Sequence, residues 1–529
     1  MFGGIWGEVG VYNLNMQDNI SNNKRIAKNT AFLYIRMLIM LFISFFTSRV
    51  ILQSLGVVDY GIYNVVGGVV AMFSFFNAAL SGATGRFLSY EIGVGNKEKL
   101  KNTFQSAVAI HFLIGLFIVI LIETVGLWYV KSKLNVPLER LDAAIIVFHI
   151  SAITCFLNII QVPFNASITS HEKMSTFAYI SILDALMKLG IAYILYMFVG
   201  DRLILYAILL MSSLIVINLI YIIYCKKNFE ECSFSLQINK NIMIPMLEFS
   251  GWDLYGNLSV MVRSQGLNIL QNYFFGPIVN ASTAVANTVL NAIMGFTDNF
   301  LVAVRPQIIK QYATEQYESF QKLVFNSSRY SYFLLLLTTL PLLIEAKYAM
   351  ELWLKEIPEY AVVFCQLSII NNWFSILFRS IVSSINATGH IKLISIVNGT
   401  IYILVLPASY IMLKYGYGPT VPFILNILFL LIGHIVFTML IVRKLMPFFE
   451  IKNFFIQVLL KSLVVTLISA LVPILLHLIM DEGISRFIII CLVSVLWTAF
   501  VLYFVGIGKE ERIIINKFIS GKMLKYNKQ

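Results

Sequence analysis

Five charged side chains sit in surroundings that are almost wholly apolar: Arg36, Asp184, Lys188, Asp253 and Arg263. A charge inside an apolar span is costly in lipid and normally faces protein or water, so these residues mark where chemistry is concentrated. Asp184 and Lys188 are spaced i, i+4 and can pair on one helix face, either as a structural ion pair or as a coupling site. Arg263 has no such partner on its own helix. At about 100° per residue, Glu248, Trp252, Gly256, Ser259 and Arg263 fall on one side as a polar, small and aromatic stripe. Leu254, Met261 and Leu270 take the other side. A guanidinium offers fork-like donors and stays charged when buried. Arg36 and Arg263 therefore point to a cavity for an anionic ligand, with Glu248, Trp252, Asp253 and Ser259 in its lining. Asp184, Glu248 and Asp253 are the acids that could take up a proton.

The elements that must position these residues are membrane spans. Of 529 residues, 59% are hydrophobic and 12% charged, and the mean hydropathy is +0.81. Soluble chains carry roughly 25% charged residues. Apolar runs near 30–53, 61–80, 105–127, 143–166, 177–199 and 203–224 make one set of six. Runs near 246–275, 281–304, 331–354, 361–385, 393–413 and 420–441 make a second, and 456–480 and 486–506 follow. The expected fold is an all-α polytopic membrane protein with about 14 transmembrane helices. Residues 1–23 form an N-terminal tail, with Met16 as an alternative start. A first six-helix lobe covers 24–224, a cytoplasmic connector 225–241 and a second lobe 242–445. Two additional helices occupy 446–508 and a basic tail 509–529.

Arg49, Glu123, Asp298, Glu345, Lys347 and Arg379 lie close to span ends, where long side chains are expected to snorkel to the interface. Most of the 39 Lys and Arg residues fall in alternate loops, which places both termini in the cytoplasm. The same rule accounts for the net charge of +12 without nucleic acid as a partner.

Three short patterns recur close to 220 residues apart. Ile51-Leu52-Gln53 returns as Ile269-Leu270-Gln271, Arg86 as Arg305, and Asn165-Ala166-Ser167 as Asn386-Ala387-Thr388. His171 likewise matches His390, and both are expected to be solvated on cytoplasmic loops. Six spans per copy bring both copies into the membrane from the same side, related by an axis along the membrane normal. That is an architecture of alternating-access transporters. A membrane-embedded enzyme acting on lipid-linked sugars is the competing class. The longest outer loop, WYVKSKLNVPLERLD, holds only Glu139 and Asp142 as acids, and no catalytic motif is visible. The five cysteines lack metal-ligand spacing, so neither a metal nor a cofactor is expected.

Leu55-Gly56-Val57-Val58-Asp59-Tyr60-Gly61-Ile62-Tyr63, followed by Arg86 and Gly95-Asn96-Lys97, resembles the Wzx-type polysaccharide flippases. These lie within the multidrug/oligosaccharidyl-lipid/polysaccharide (MOP) exporter superfamily. Asn386 to Lys392 looks like the turn after the tenth span of that family. The resemblance spans about residues 24 to 510. It implies a flippase that moves undecaprenyl-diphosphate-linked oligosaccharide across the bacterial plasma membrane for O-antigen, capsule or exopolysaccharide assembly. It further implies a cationic cavity, membrane lipid as a partner, a coupling ion (proton or sodium), and a monomer working beside polysaccharide polymerase machinery. The turn at Leu55 to Gly61 is expected to be an outer-face connection. The drug/cation antiporters of the same superfamily are the nearest rival, and Asp253 and Glu248 suit them.

Overall fold

The computed structural model describes residues 3–71, 74–133, 137–233, 239–354, 357–508, 511–513 and 516. Most of the basic tail 509–529, the side chains of the N-terminal tail 1–23 and that of Arg49 lie outside the described residues, as does 234–238 of the connector. The regular structure of the described residues is helical. In chain order the first helices are α1 (Gly3–Ala71), α2 (Ser74–Val94), α3 (Lys97–Ser132), α4 (Leu141–Ser170), α5 (Met174–Met197) and α6 (Arg202–Asn228). Then come α7 (Lys240–Phe275), α8 (Pro277–Ala313), α9 (Tyr317–Ile344), α10 (Ala346–Trp353), α11 (Ala361–Thr388) and α12 (Lys392–Lys414). The last are α13 (Val421–Leu445), α14 (Ile451–Ile479) and α15 (Ile484–Gly506).

Ten helical stretches among the described residues are long and apolar enough to cross a membrane: Arg25–Ser44 of α1, α3 to α6 and α11 to α15. The pair α9 and α10, bent by 79°, adds an eleventh. The expected spans at 246–275 and 281–304 are helical but more polar. Helix α7 carries Glu248, Asp253 and Arg263, and α8 carries Asn280, Asn287, Asn291 and Asn299. Polar stripes lower mean hydropathy without altering helix geometry.

Contacts divide the chain into two compact units. The first comprises Met1–Leu258, Val302–Phe320 and Ile385–Ile396; the second comprises Ser259–Leu301, Gln321–Ser384 and Val397–Gln529. One core of the first unit gathers Ile118 and Ile122 of α3 with Val147, Phe148 and Ala152 of α4. Another gathers Leu88, Phe104, Phe164 and Ile168 with Tyr221 of α6. In the second unit Val279 and Ala286 of α8 pack with Phe364, Cys365 and Ile369 of α11. Lipid is as apolar as these side chains, so it is tight packing and satisfied polar groups that hold such helices together.

The tight turn expected at Leu55 to Gly61 is instead a kink within α1. Only Gly56 leaves helical geometry there (φ 75°, ψ 168°), a conformation open to a residue without Cβ. Asp59, just beyond the kink, has a structural task. Arg140 Nε and Nη2 donate to its two carboxylate oxygens at 2.9 and 2.7 Å, and Arg140 Nη1 donates to Asp201 at 2.8 Å. Asp201 in turn caps α6 by accepting from the Leu203 and Ile204 amides. The hydrogen-bonded guanidinium holds the Asp201 carboxyl below the usual carboxylate range. One arginine thus ties the kinked stretch of α1 to the N-terminal ends of α4 and α6.

Five of the near-end charges expected to snorkel, Glu123, Asp298, Glu345, Lys347 and Arg379, have protein partners, because packing brings a complementary group from another part of the chain. Glu123 accepts from His149 at 2.8 Å, Asp298 pairs with Arg379, and Lys347 reaches Glu482 at 3.3 Å. Glu345, 1% exposed, receives Arg486 Nη2 at 3.1 Å and meets His477 Nδ1 at 2.8 Å. With Tyr332 bonded to Thr466 at 2.5 Å and Arg329 to Glu511 at 2.8 Å, these contacts fasten α14, α15 and the residues after them to the α9–α10 segment. His171 is not solvated either. Its ring stacks on Phe229 at 4.2 Å, and Nε2 meets Glu231 at 2.6 Å. His390, by contrast, is exposed.

Candidate functional site

Within the first unit, α1, α2, α4, α5 and α6 surround a cavity of about 620 Å³. Three of the charges singled out in the sequence, Arg36, Asp184 and Lys188, line it together. Arg36 comes from α1, the other two from α5. The Arg36 guanidinium lies 4.6 Å from the Phe177 ring centroid, a cation–π contact that holds a cation at an apolar wall. Lys188 Nζ donates to Asp184 Oδ2 at 2.7 Å, the i, i+4 pair. The remaining polar wall is made of amides and hydroxyls, among them Asn77, Thr154, Asn158, Gln161 and Asn165. The lining holds two cations against one acid, with neutral groups able to donate and accept around them. Such a site can bind a polar, oxygen-rich or anionic molecule and release it unchanged.

Arg263 belongs to the second unit. Its Nη1 donates to Asn426 Oδ1 at 2.6 Å, and Asn426 Nδ2 donates on to Asn371 at 2.9 Å. The guanidinium lies 4.6 Å from the Tyr402 ring centroid. Helices α7, α11, α12 and α13 therefore converge on this one charge. Ser259, in the same unit, is buried. The rest of the stripe belongs to the first unit. Trp252 has Lys392 Nζ 5.1 Å from a ring centroid, and Glu248 is exposed. The Asp253 carboxylate packs so close to Gly82 of α2 that a Cβ there would lie 2.9 Å from Oδ2, and Arg305 exerts an electrostatic pull on the same carboxylate.

Sequence reasoning did not single out a carboxylate of the first unit on which three distant side chains converge. Glu172, buried in the turn between α4 and α5, receives Gln307 Nε2 at 2.6 Å, Lys310 Nζ at 2.6 Å and Arg25 Nη2 at 3.0 Å. Burial pushes this carboxyl up, but Lys310, Gln307 and Arg25 outweigh it and hold it below the usual carboxylate range. Glu231 behaves alike: burial raises its carboxyl, and His171 with other donors holds it lower. The available signal was the recurrence of His171 as His390, which flags the turn that carries Glu172. Among the described residues, no group of three or more His, Cys, Asp or Glu side chains is arranged to hold a metal ion.

Residues 34–194 match the MatE family model. No curated protein matches the sequence. Solved structures do match. A MATE in the bent conformation aligns at 14% identity and a TM-score of 0.66, covering 79% of this chain and 94% of that one. An outward-facing multidrug resistance MATE family transporter of the MOP superfamily aligns at 15% and 0.64, covering 78% and 95%. A MOP superfamily transporter from Pyrococcus furiosus, described as having a binding pocket of reversed polarity, aligns at 15% and 0.63, covering 79% and 96%. At these identities the likeness is one of fold: the chain has the fold of MATE transporters.

Proposed function

We propose that this chain is a secondary transporter that moves an organic substrate across the membrane by alternating access, in exchange for an ion and with no bond broken. One observation carries the reading. The stretch that matches the MatE model, 34–194, supplies all three cavity charges and most of the cavity wall. Export of drugs or organic cations is the substrate reading that the comparisons support best, since a multidrug resistance transporter shares the fold. Asp184 is then the acid that exchanges a coupling proton or sodium ion for the cationic substrate.

A second reading is favoured by the charge of the lining. Arg36 and Lys188 outnumber Asp184 in the cavity, and the amides beside them suit hydroxyl groups. On this reading the substrate is undecaprenyl-diphosphate-linked oligosaccharide, flipped across the bacterial plasma membrane. Arg263 serves the same substrate from the second six-helix lobe, with Glu248, Trp252, Asp253 and Ser259 along its helix. The fourteen-span count, the lobes at 24–224 and 242–445, the accessory helices at 446–508 and cytoplasmic termini complete the proposal.

Proteoliposomes holding the full chain separate the readings. A proton or sodium gradient that drives ethidium uptake supports the antiporter. Movement of a short-chain polyprenyl-diphosphate oligosaccharide, without ethidium transport, supports the flippase. Failure to move either probe under any gradient contradicts the transport reading for both substrate classes.

A further inference from the structure

The repeated sequence patterns meet one another in a crossed arrangement within the first unit. Arg86, just after the expected second span, donates from Nη2 to the Ala387 carbonyl at 3.2 Å, at the C-terminal end of α11 just before the turn into α12. That guanidinium lies so close to Gly389 that a Cβ there would be 2.6 Å from Nη2. The counterpart of Arg86 is Arg305, and the residues that follow it, Gln307 and Lys310, reach Glu172 in the turn between α4 and α5. Each contacted turn contains a left-handed residue, Glu172 (φ 60°) and Gly389 (φ 84°). The basic segment of each repeat thus grips the equivalent turn of the other repeat.

Between the two grips the backbones touch. A Cβ at Gly93 of α2 would lie 3.0 Å from Ala313 Cβ and 3.0 Å from Lys310 Cα of α8. The contacts of the two grips are made by small residues, an ion-paired carboxylate, an amide and backbone carbonyls, with the apolar cluster of Leu33, Met174 and Ala303 alongside. Polar contacts of this kind can be replaced by water when the surfaces part, whereas an interlocked apolar core would be exposed. We propose that these reciprocal contacts form a separable latch. It closes the first unit at the end bearing the basic segments, and it must part before the Arg36 cavity opens towards that end. The inference deepens the transport reading, but its test reads access to the cavity rather than transport, so the two can fail separately.

Cys155 lines the cavity and serves as the native probe. Full-length protein in membrane vesicles of either orientation is exposed to a membrane-impermeant maleimide, and labelling of Cys155 is read by peptide mass spectrometry. Glu172→Gln should speed labelling from the face bearing the basic segments by about fivefold or more, and leave the opposite face unchanged. In the Glu172→Gln background, Gly93→Cys with Ala313→Cys places two thiols near disulfide spacing. Oxidation should return labelling to the wild-type rate, and reduction should release it. Three results overturn the latch: unchanged labelling in Glu172→Gln, an equal rise from both faces, or labelling indifferent to the disulfide.

Discussion

Replacing Arg486 by methionine keeps most of the side-chain volume but leaves Glu345 in place, 1% exposed, with His477 as its remaining hydrogen-bonding neighbour. Removing one member of a buried pair costs about 3–5 kcal/mol, because the other charge stays desolvated. The His477 side chain is 35% exposed and still meets Oε1 at 2.8 Å, so the lower end of that range applies, about 3 kcal/mol. Arg486→Met combined with Glu345→Gln leaves no buried charge and should cost only about 1 kcal/mol. Equilibrium unfolding from mixed micelles by dodecyl sulfate, followed by tryptophan fluorescence, gives both values. Because Glu345 joins the α9–α10 segment to α14 and α15, proteolysis of the single variant should start in the last two helices. A stability of Arg486→Met within about 0.5 kcal/mol of wild type would refute the reasoning, as would a double variant less stable than the single one.

The other predictions use the same unfolding measurement. Arg140→Met loses the clamp on Asp59 and Asp201. It should cost about 1–2 kcal/mol, the modest value expected where the ion pair is partly exposed but bidentate. Gly389→Ala forces a Cβ into a left-handed residue against Arg86 and should cost at least about 1–2 kcal/mol, with Gly389→Asn milder. The Glu172 carboxyl is held below its unfolded value near 4.5, so its contribution is fully present above that pH and is lost as pH falls through the folded value. Stability should therefore drop on acidification below about pH 4.5, and Glu172→Gln should remove that part of the drop.

The residues legible from sequence were those whose partners lie on the same helix. Asp184 and Lys188 are four residues apart, and their spacing alone predicts the contact seen at 2.7 Å. Arg36 was visible as a costly charge, but its sharing a cavity with that pair depends on α1 packing against α5, which periodicity does not encode. Glu172 was missed because it stands in a turn, where a charge is cheap, and its partners Gln307 and Lys310 are 135 and 138 residues away. The same distance effect hid the partners of Glu345 and Asp298, whose nearness to span ends made snorkelling the simpler expectation. The motif from Leu55 to Tyr63 read as a turn because of Gly56 and Gly61, whereas one non-helical glycine suffices to bend a continuing helix. Helices α7 and α8 were expected from their apolar runs, and both are helical, but their polar residues keep them outside the helices apolar enough to cross a membrane.

The central claim is that the cavity around Arg36 carries the transported molecule. It is tested most directly by counterflow in proteoliposomes, using whichever of the two probes, ethidium or polyprenyl-diphosphate oligosaccharide, the wild-type chain moves. Arg36→Ala, reconstituted at equal density and with unchanged unfolding, should alter that flux by tenfold or more, about 1.4 kcal/mol of differential interaction. The flux should be lost if the probe is the diphosphate; if it is the cation, its apparent affinity should shift. A flux and affinity identical to wild type would contradict the account.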